Sequence, residues 1–69
     1  MKIYLVVDSY QYDGGFTVFG AYANADLALI RQQEERKEFV AYCNSRSYHP
    51  HNLESMLEAI HIEEVDYIQ

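Results

Sequence analysis

Apolar and polar positions form two short strand-like runs at the start of the chain. In residues 2–8 apolar side chains occupy both alternating faces, which predicts a central strand. Residues 16–22 form a second run, rich in aromatic and β-branched residues. Residues 9–15 lie between them and supply turn residues and glycines. We predict an antiparallel hairpin with a loop longer than the two-residue minimum.

A helix is predicted over residues 25–42. Asn24 is a favoured N-cap residue, and the residues after it are compatible with a helix. Leu27 and Ile30 are expected to pack on the sheet. Residues 31–38 are polar at every position, so the apolar stripe is interrupted in the middle of the helix.

The polar middle of this helix leaves two alternatives open. A helix over residues 25–42 would be about 27 Å long, which is longer than a small three-stranded sheet can cover. Either the helix overhangs the sheet, or it breaks near Lys37 and residues 39–43 form a short strand.

The last third of the chain predicts a loop, a short helix and a strand. Residues 44–51 are polar and contain the only proline, which favours an extended loop. We expect Asn52 to cap a short helix over residues 53–59. In residues 60–68 the apolar alternation changes face at residues 63–64, and we predict a β-bulge there.

Together these elements predict a single α+β domain over residues 1–69. Its β-β-α-β order gives a small antiparallel sheet of about three strands, with one main helix on one face and a short second helix before the last strand. A domain of this size rarely holds more than about 3–5 kcal/mol of stability without disulfides, metal or oligomerisation. Stabilisation by a partner chain is therefore plausible.

The junction between the second strand and the helix resembles that of a group of small uncharacterised proteins from bacteria and their phages. These proteins open with a strand of the form Tyr-x-Val and continue G-[VA]-[FY]-x-[STN]-x-[DE]-x-A. Tyr4 and Val6 match the opening strand, and the junction is matched by Gly20, Ala21, Tyr22, Asn24, Asp26 and Ala28. The resemblance implies a β-β-α-β domain and carries no biochemical activity. Residues 46–58 depart from the short connection usual in that group.

The amino-acid composition indicates in which cellular compartment the protein is expected. Cys43 is the only cysteine, so no intrachain disulfide can form, which suits a reducing cytoplasm. The apolar run of residues 3–7 is too short for a signal-peptide core or a membrane span. We expect a cytoplasmic protein without membrane association.

The charge of the chain is unevenly distributed. The formal net charge is −6; residues 1–46 carry five basic and six acidic groups, whereas residues 47–69 carry five acidic groups and no basic one. Binding to nucleic acid or to an anionic membrane requires Lys and Arg side chains. We therefore expect no direct nucleic-acid binding, and favour a basic protein partner or a protein whose own site accepts phosphate.

The reactive side chains form no recognisable catalytic or metal-binding motif. Zinc could in principle use Cys43 with the three histidines, but their spacing matches no zinc module. A serine or cysteine nucleophile would need a base, an orienting acid and a pocket, which so small a domain rarely encloses. We predict no catalytic residue, no metal site, no cofactor and no enzymatic activity.

The tyrosines indicate an interface, because a core of this size cannot bury seven of them and tyrosine is enriched where proteins bind each other. One helix covers one face of the sheet. Alternation predicts that the other face shows an apolar set made up of Tyr4, Val6, Phe19, Val65 and Tyr67. Alternatively, the loop and short helix after Arg46 fold over that face and complete the core.

These features favour a protein-interaction module that binds and modulates or inhibits a host protein, such as a defence or nucleic-acid-handling factor. The resemblance makes a phage origin part of this hypothesis. The acidic end would occupy a basic groove through Glu58, Glu63, Glu64 and Asp66. Charge that keeps a solvated strand edge from aggregating would also explain these residues. The alternative function is a self-associating domain that acts as a homo-oligomer or binds a small ligand between subunits.

A homodimer is expected from the far end of the helix. Phe39, Val40 and Tyr42 lie beyond the span of a short sheet, so they need cover from the segment after Arg46 or from a second chain. Burying a Phe side chain contributes about 1.5–3 kcal/mol, a large fraction of the stability of so small a domain. Phe39 and Tyr42 are therefore candidate interface residues.

Overall fold

The computed structural model describes residues 1–10 and 15–66, and its elements follow the predicted order. They are β1 (Lys2–Asp8), β2 (Thr17–Tyr22), α1 (Ala25–Ser45), α2 (Leu53–Glu58) and β3 (Ile60–Asp66). The strands form one antiparallel sheet in the order β2-β1-β3, with β1 in the centre. The predicted α+β class, the hairpin and the central first strand are confirmed. Part of the hairpin turn lies outside the described residues.

The register of the sheet places the irregularity elsewhere than predicted. β1 and β3 pair without interruption from Lys2 opposite Asp66 to Asp8 opposite Ile60, so the bulge expected at residues 63–64 is wrong. The register shifts instead between β1 and β2, where Phe19 of β2 has no partner position on β1. The apolar residues of β3 change face because its two halves meet different surroundings: Ile60 is buried, whereas residues 63–66 are exposed.

The two faces of the sheet can be assigned from one contact with α1. The Tyr22 hydroxyl accepts a hydrogen bond from Arg31 Nη1 of α1 at 3.3 Å. Because paired residues of antiparallel strands point to the same side, Tyr4 opposite Tyr22 and Val6 opposite Gly20 share the α1 side. We call this side the inner face; its members on the three strands are Lys2, Tyr4, Val6, Asp8, Thr17, Gly20, Tyr22, Ile60, Ile62, Glu64 and Asp66.

The opposite side, the outer face, is the one that α1 leaves uncovered. Strand alternation and the register place eight residues there: Ile3, Leu5, Val7, Val18, Ala21, His61, Glu63 and Val65. The prediction that Tyr4 and Val6 belong to the uncovered face is therefore wrong. Val6 is fully buried. Both alternating sets of β1 are apolar, so the strand pattern by itself did not decide which set would meet the helix.

Helix α1 begins and ends with defined caps. The Asn24 side chain accepts a hydrogen bond from the Asp26 backbone N–H at 2.7 Å, as predicted. The helix runs without interruption to Ser45, three residues further than expected, so the alternative of a strand at residues 39–43 is wrong. Its 21 residues span about 32 Å, whereas a seven-residue strand spans about 23 Å. The helix therefore overhangs the sheet.

The side of α1 that meets the sheet is not the one that its leucines predicted. Ala28, Gln32 and Cys43 are buried, whereas Leu27 and Ile30 are 53% and 55% exposed, so their predicted packing on the sheet is wrong. Ala28 has only a methyl group at the contact, which lets the helix backbone approach the sheet closely. This orientation also lets the polar residues of the next turns reach the sheet.

The core of the described chain is small. Its buried apolar residues are Val6, Val7, Ala28, Cys43 and Ile60. Cys43 thus behaves as a small buried apolar side chain, the ordinary role of a free cysteine in a core.

The segment after α1 stays near the start of β3. Asn52 precedes α2 as predicted, but its side chain makes no capping hydrogen bond and instead donates from Nδ2 to the Tyr10 hydroxyl. The Ala59 carbonyl, just after α2, accepts from the Ser9 backbone N–H. Among the strands, α2 makes its main contacts with β3. The alternative in which this segment covers the uncovered face and completes the core is not realised, because Val18 and Val65 remain exposed there.

Candidate interaction surface

The outer face is apolar on β1 and β2, whereas on β3 it carries His61, Glu63 and Val65. In its central row Val7 is buried, and Ile3 and Leu5 are half-buried by their neighbours. The flanking residues Val18 and Val65 are 49% and 42% exposed. No described helix or strand lies over these side chains, and Val18 and Val65 remain in contact with solvent.

Phe16 extends this surface at the end of the hairpin. It lies just before β2, and 67% of its surface is exposed. Together with Val7 and Glu63 it lines a shallow cleft of about 160 Å³. Phe16 thus adds an exposed aromatic side chain to the outer face.

One ion pair accounts for the charged side chains of the outer face. His61 Nε2 lies 3.1 Å from Glu63 Oε1, and Nδ1 lies 2.8 Å from the Ala59 carbonyl oxygen. The Ala59 carbonyl, and then the Glu63 carboxylate, raise the pKa of His61, because only the imidazolium form can donate to both. The strand residues Lys2, Asp8, Glu64 and Asp66 fall on the inner side by alternation. The outer face is therefore nearly free of charge.

The inner face is held to α1 by polar contacts at one backbone carbonyl. The Ile60 oxygen accepts from Gln32 Nε2 at 3.0 Å and from Arg36 Nε and Nη2 at 3.2 and 2.9 Å. One helical turn before Glu35, Arg31 donates from Nε to Glu35 Oε1 at 2.8 Å while also reaching Tyr22. These contacts fix the position of the helix, and with it the choice of the face that stays open.

The structure does not bring the predicted interface residues together. Phe19 is half-buried at the irregular position of β2, and Phe39 and Val40 are half-buried on α1. Tyr42 is exposed and lies beside Arg46, whose guanidinium carbon is 5.3 Å from the ring centroid. Tyr67 lies outside the described residues. Of the predicted set, Val65 and Glu63 lie on the outer face.

The four acidic candidates are likewise spread over different surfaces. Glu63 belongs to the outer face, Glu64 and Asp66 belong to the inner side, and Glu58 ends α2. Glu64 forms an ion pair with Lys2 at 2.5 Å, which also raises the pKa of that lysine. A single acidic patch made by all four is therefore absent from the described structure.

Sequence reasoning missed Phe16 and Val18 as surface residues. Phe16 was expected inside the second strand, which begins one residue later at Thr17. Val18 reaches the outer face because the register shifts beyond Gly20. A strict alternation count from Tyr22 puts Val18 on the inner face, so the sequence carried no signal for its true position.

A second concave surface lies between the end of β1 and the segment that joins α1 to α2. It is an open groove of about 750 Å³ lined by Tyr10, Tyr48, His49, Pro50, His51, Asn52 and Met56. Within the described ranges no three His, Cys, Asp or Glu side chains lie close enough together to hold a metal ion.

Comparison of the chain with models of protein families, with curated proteins and with solved structures gives no match. None of the described helices has the length and apolar character needed to cross a membrane.

Proposed function

We propose that this chain is a small protein-interaction module and that the outer face is its binding surface. The observation that carries the proposal is the exposure of Phe16, Val18 and Val65 on one nearly uncharged face. Protein interfaces have such an apolar, charge-depleted centre with a polar rim. Burial of these side chains supplies the driving force for binding.

The chemistry of the face favours a protein over other partners. His61 is its one basic side chain within the described strands, and a nucleic-acid backbone needs several Lys or Arg contacts. The proposal assigns no chemical step to the chain. That the module modulates or inhibits a host protein, the hypothesis that accompanies its resemblance to bacterial and phage proteins, stays a prediction.

Site-specific photo-crosslinking in the producing cells tests the proposal. The photoreactive residue p-benzoylphenylalanine replaces Val65 in one variant and Ile30 in a matched control. Both positions are exposed and aliphatic, but Ile30 lies on α1, away from the outer face. We expect a discrete adduct from position 65 and none from position 30. Absence of an adduct at position 65, or the same adduct pattern at both positions, would contradict the proposed surface.

A further inference from the structure

We propose that the partner on the outer face is a second copy of this chain, packed face to face about a two-fold axis. The inference rests on the proposed function, because it concerns the same surface, and it adds the identity of the occupant. In such an isologous dimer each residue of the face meets the same surface of the other copy. Two sheets packed in this way lie about 10 Å apart, with their side chains interdigitated.

The surface area of the chain fits this occupant. The chain exposes 5229 Å², whereas a compact monomer of 8.1 kDa would expose about 4,500 Å². The surplus of about 700 Å² belongs to the whole chain, including the end of α1 that overhangs the sheet, and it is of the size that each partner buries in a standard interface, roughly 800 Å². The surplus reflects a flat body, 46 × 25 × 14 Å, in which one layer of helix covers one side of the sheet.

The small size of the core favours stabilisation by a second copy of the same chain. The described chain buries five apolar side chains, and a domain of this size rarely holds more than about 3–5 kcal/mol of stability without a disulfide, a metal or a second chain. Its single cysteine excludes an intrachain disulfide. A second copy is available whenever the chain is made, whereas an unrelated protein is available only where it is co-expressed. In the monomer the exposed outer face contributes little to stability. Burial of this face between two copies would stabilise the folded chain.

The distribution of charge removes the main obstacle to pairing. Two chains with a net charge of −6 repel each other unless the contact avoids their acidic groups. On the outer face the one acidic side chain of the described strands, Glu63, is paired with His61 of the same chain. Glu64 and Asp66, next to it along β3, lie on the opposite side of the sheet.

The other exposed apolar residues make a poorer contact. Leu27 and Ile30 lie on the outward side of α1, one turn apart. Helical spacing surrounds them with Asp26, Glu34 and Lys37. This strip is one helix wide and is flanked by charges of both signs, whereas the outer face spans three strands.

Sedimentation velocity and equilibrium from low to high micromolar concentration test the dimer. We expect twice the chain mass for the wild type and a melting temperature that rises with protein concentration. Val65→Glu and Phe16→Glu should each weaken the dimer by at least about 100-fold, because the two-fold axis places every new charge in the interface twice. The matched control Ile30→Glu, also at an exposed aliphatic position, should leave the dimer intact.

Several results would overturn the second copy. A monomeric mass at high concentration, together with a melting temperature independent of concentration, is one. Dissociation by Ile30→Glu but not by Val65→Glu or Phe16→Glu is another. If both outer-face variants are unfolded, the concentration dependence of the wild-type melting temperature still decides.

The crosslinking experiment separates this inference from the proposed function. An adduct of twice the chain mass from position 65 supports the second copy. An adduct of any other mass, without the doubled one, refutes the second copy and leaves the interaction module standing. No adduct refutes both.

Discussion

The inner and outer faces of the sheet differ in how their side chains are covered. The inner face is covered by α1, yet that helix turns Gln32 and Arg36 toward the sheet and leaves Leu27 and Ile30 in solvent. The outer face is more uniformly apolar and carries no described element. The helix is therefore positioned by directional hydrogen bonds as well as by the buried Ala28 and Cys43, while part of the apolar surface remains exposed.

The largest expected effect comes from removing an inner-face side chain. Ile60→Ala deletes a buried side chain and should cost about 2–5 kcal/mol, which would leave a chain of this size mostly unfolded. The matched control Ile30→Ala, on the exposed side of α1, should cost less than about 0.5 kcal/mol. Chemical denaturation at fixed protein concentration measures both. Equal costs would mean that Ile30 is buried and that the orientation of α1 is wrong.

A second prediction concerns the hydrogen bonds to the Ile60 carbonyl. Gln32→Leu and Arg36→Leu should each cost about 1 kcal/mol, since the remaining residue still donates to this oxygen. The double variant should cost more than the sum, because the carbonyl then loses every side-chain donor. Gln33→Leu, at an exposed neighbouring position, is the control. Additive losses, measured by urea unfolding, would show that the two donors do not act on one acceptor.

Gly20 offers a smaller test of the inner face. A Cβ at this position would lie 2.8 Å from Tyr22 Oη and 2.9 Å from Cε2, so the tyrosine ring must move away from Arg31. Gly20→Ala should cost about 1 kcal/mol in the wild type. In a Tyr22→Ala background the same change should become neutral or slightly stabilising, because alanine lowers the entropy of the unfolded chain. The same cost in both backgrounds, in a double-mutant cycle, would contradict the close approach of this ring.

The smallest expected effect is a pH dependence of stability from the outer face. The raised pKa of His61 means that protonation stabilises the folded state through Ala59, Glu63 and the nearby carboxylate of Asp8. This stability is complete below the unfolded pKa of about 6.5 and is lost as the pH rises through the higher folded pKa. Solvent limits the effect of this exposed pair to less than about 1 kcal/mol.

His61→Gln is the matched variant for this pH effect, since its amide can still bond to the same neighbours. Subtracting its stability curve from that of the wild type removes the contributions of His49 and His51. We expect the difference to decline above pH ~6.5, and NMR titration of the His61 ring should give a pKa above that value. A flat difference curve would contradict the two-acceptor geometry.

The helices and strands were predicted well, because the formation of each element depends mainly on residues that are close in sequence. The N-cap at Asn24 and the start and end of β1 were found from residue type and spacing alone. The polar residues 31–38 led to the alternative of a break near Lys37, and the end of α1 was placed three residues too early. In the structure Gln32 and Arg36 donate hydrogen bonds to the sheet. The polar character of this stretch therefore did not mean that the helix ends or leaves the sheet there.

The candidate surface was only partly predictable, because it depends on long-range register. Ile3, Leu5 and Val7 form one apolar set of β1, and Tyr4 and Val6 form the other. Choosing between them required the contact of Tyr22 with Arg31, which joins two elements. Val65 was predicted to share the uncovered face with Tyr4 and Val6, but its partner on β1 is Ile3, and the shift at Phe19 hid the contribution of Val18.

The same carbonyl that anchors α1 also affects what kind of assembly the chain can form. A sheet whose edges are open can add strands without limit and grow into fibres. Along β3 the first outward carbonyl, that of Ile60, is already occupied by α1, and the rest of the strand carries three acidic side chains. Along β2 the irregularity at Phe19 bends the opposite edge. Because both edges are obstructed, further strands do not add to the sheet. Association through the outer face then stops at two copies, and the exposed apolar surface does not lead to open-ended aggregation.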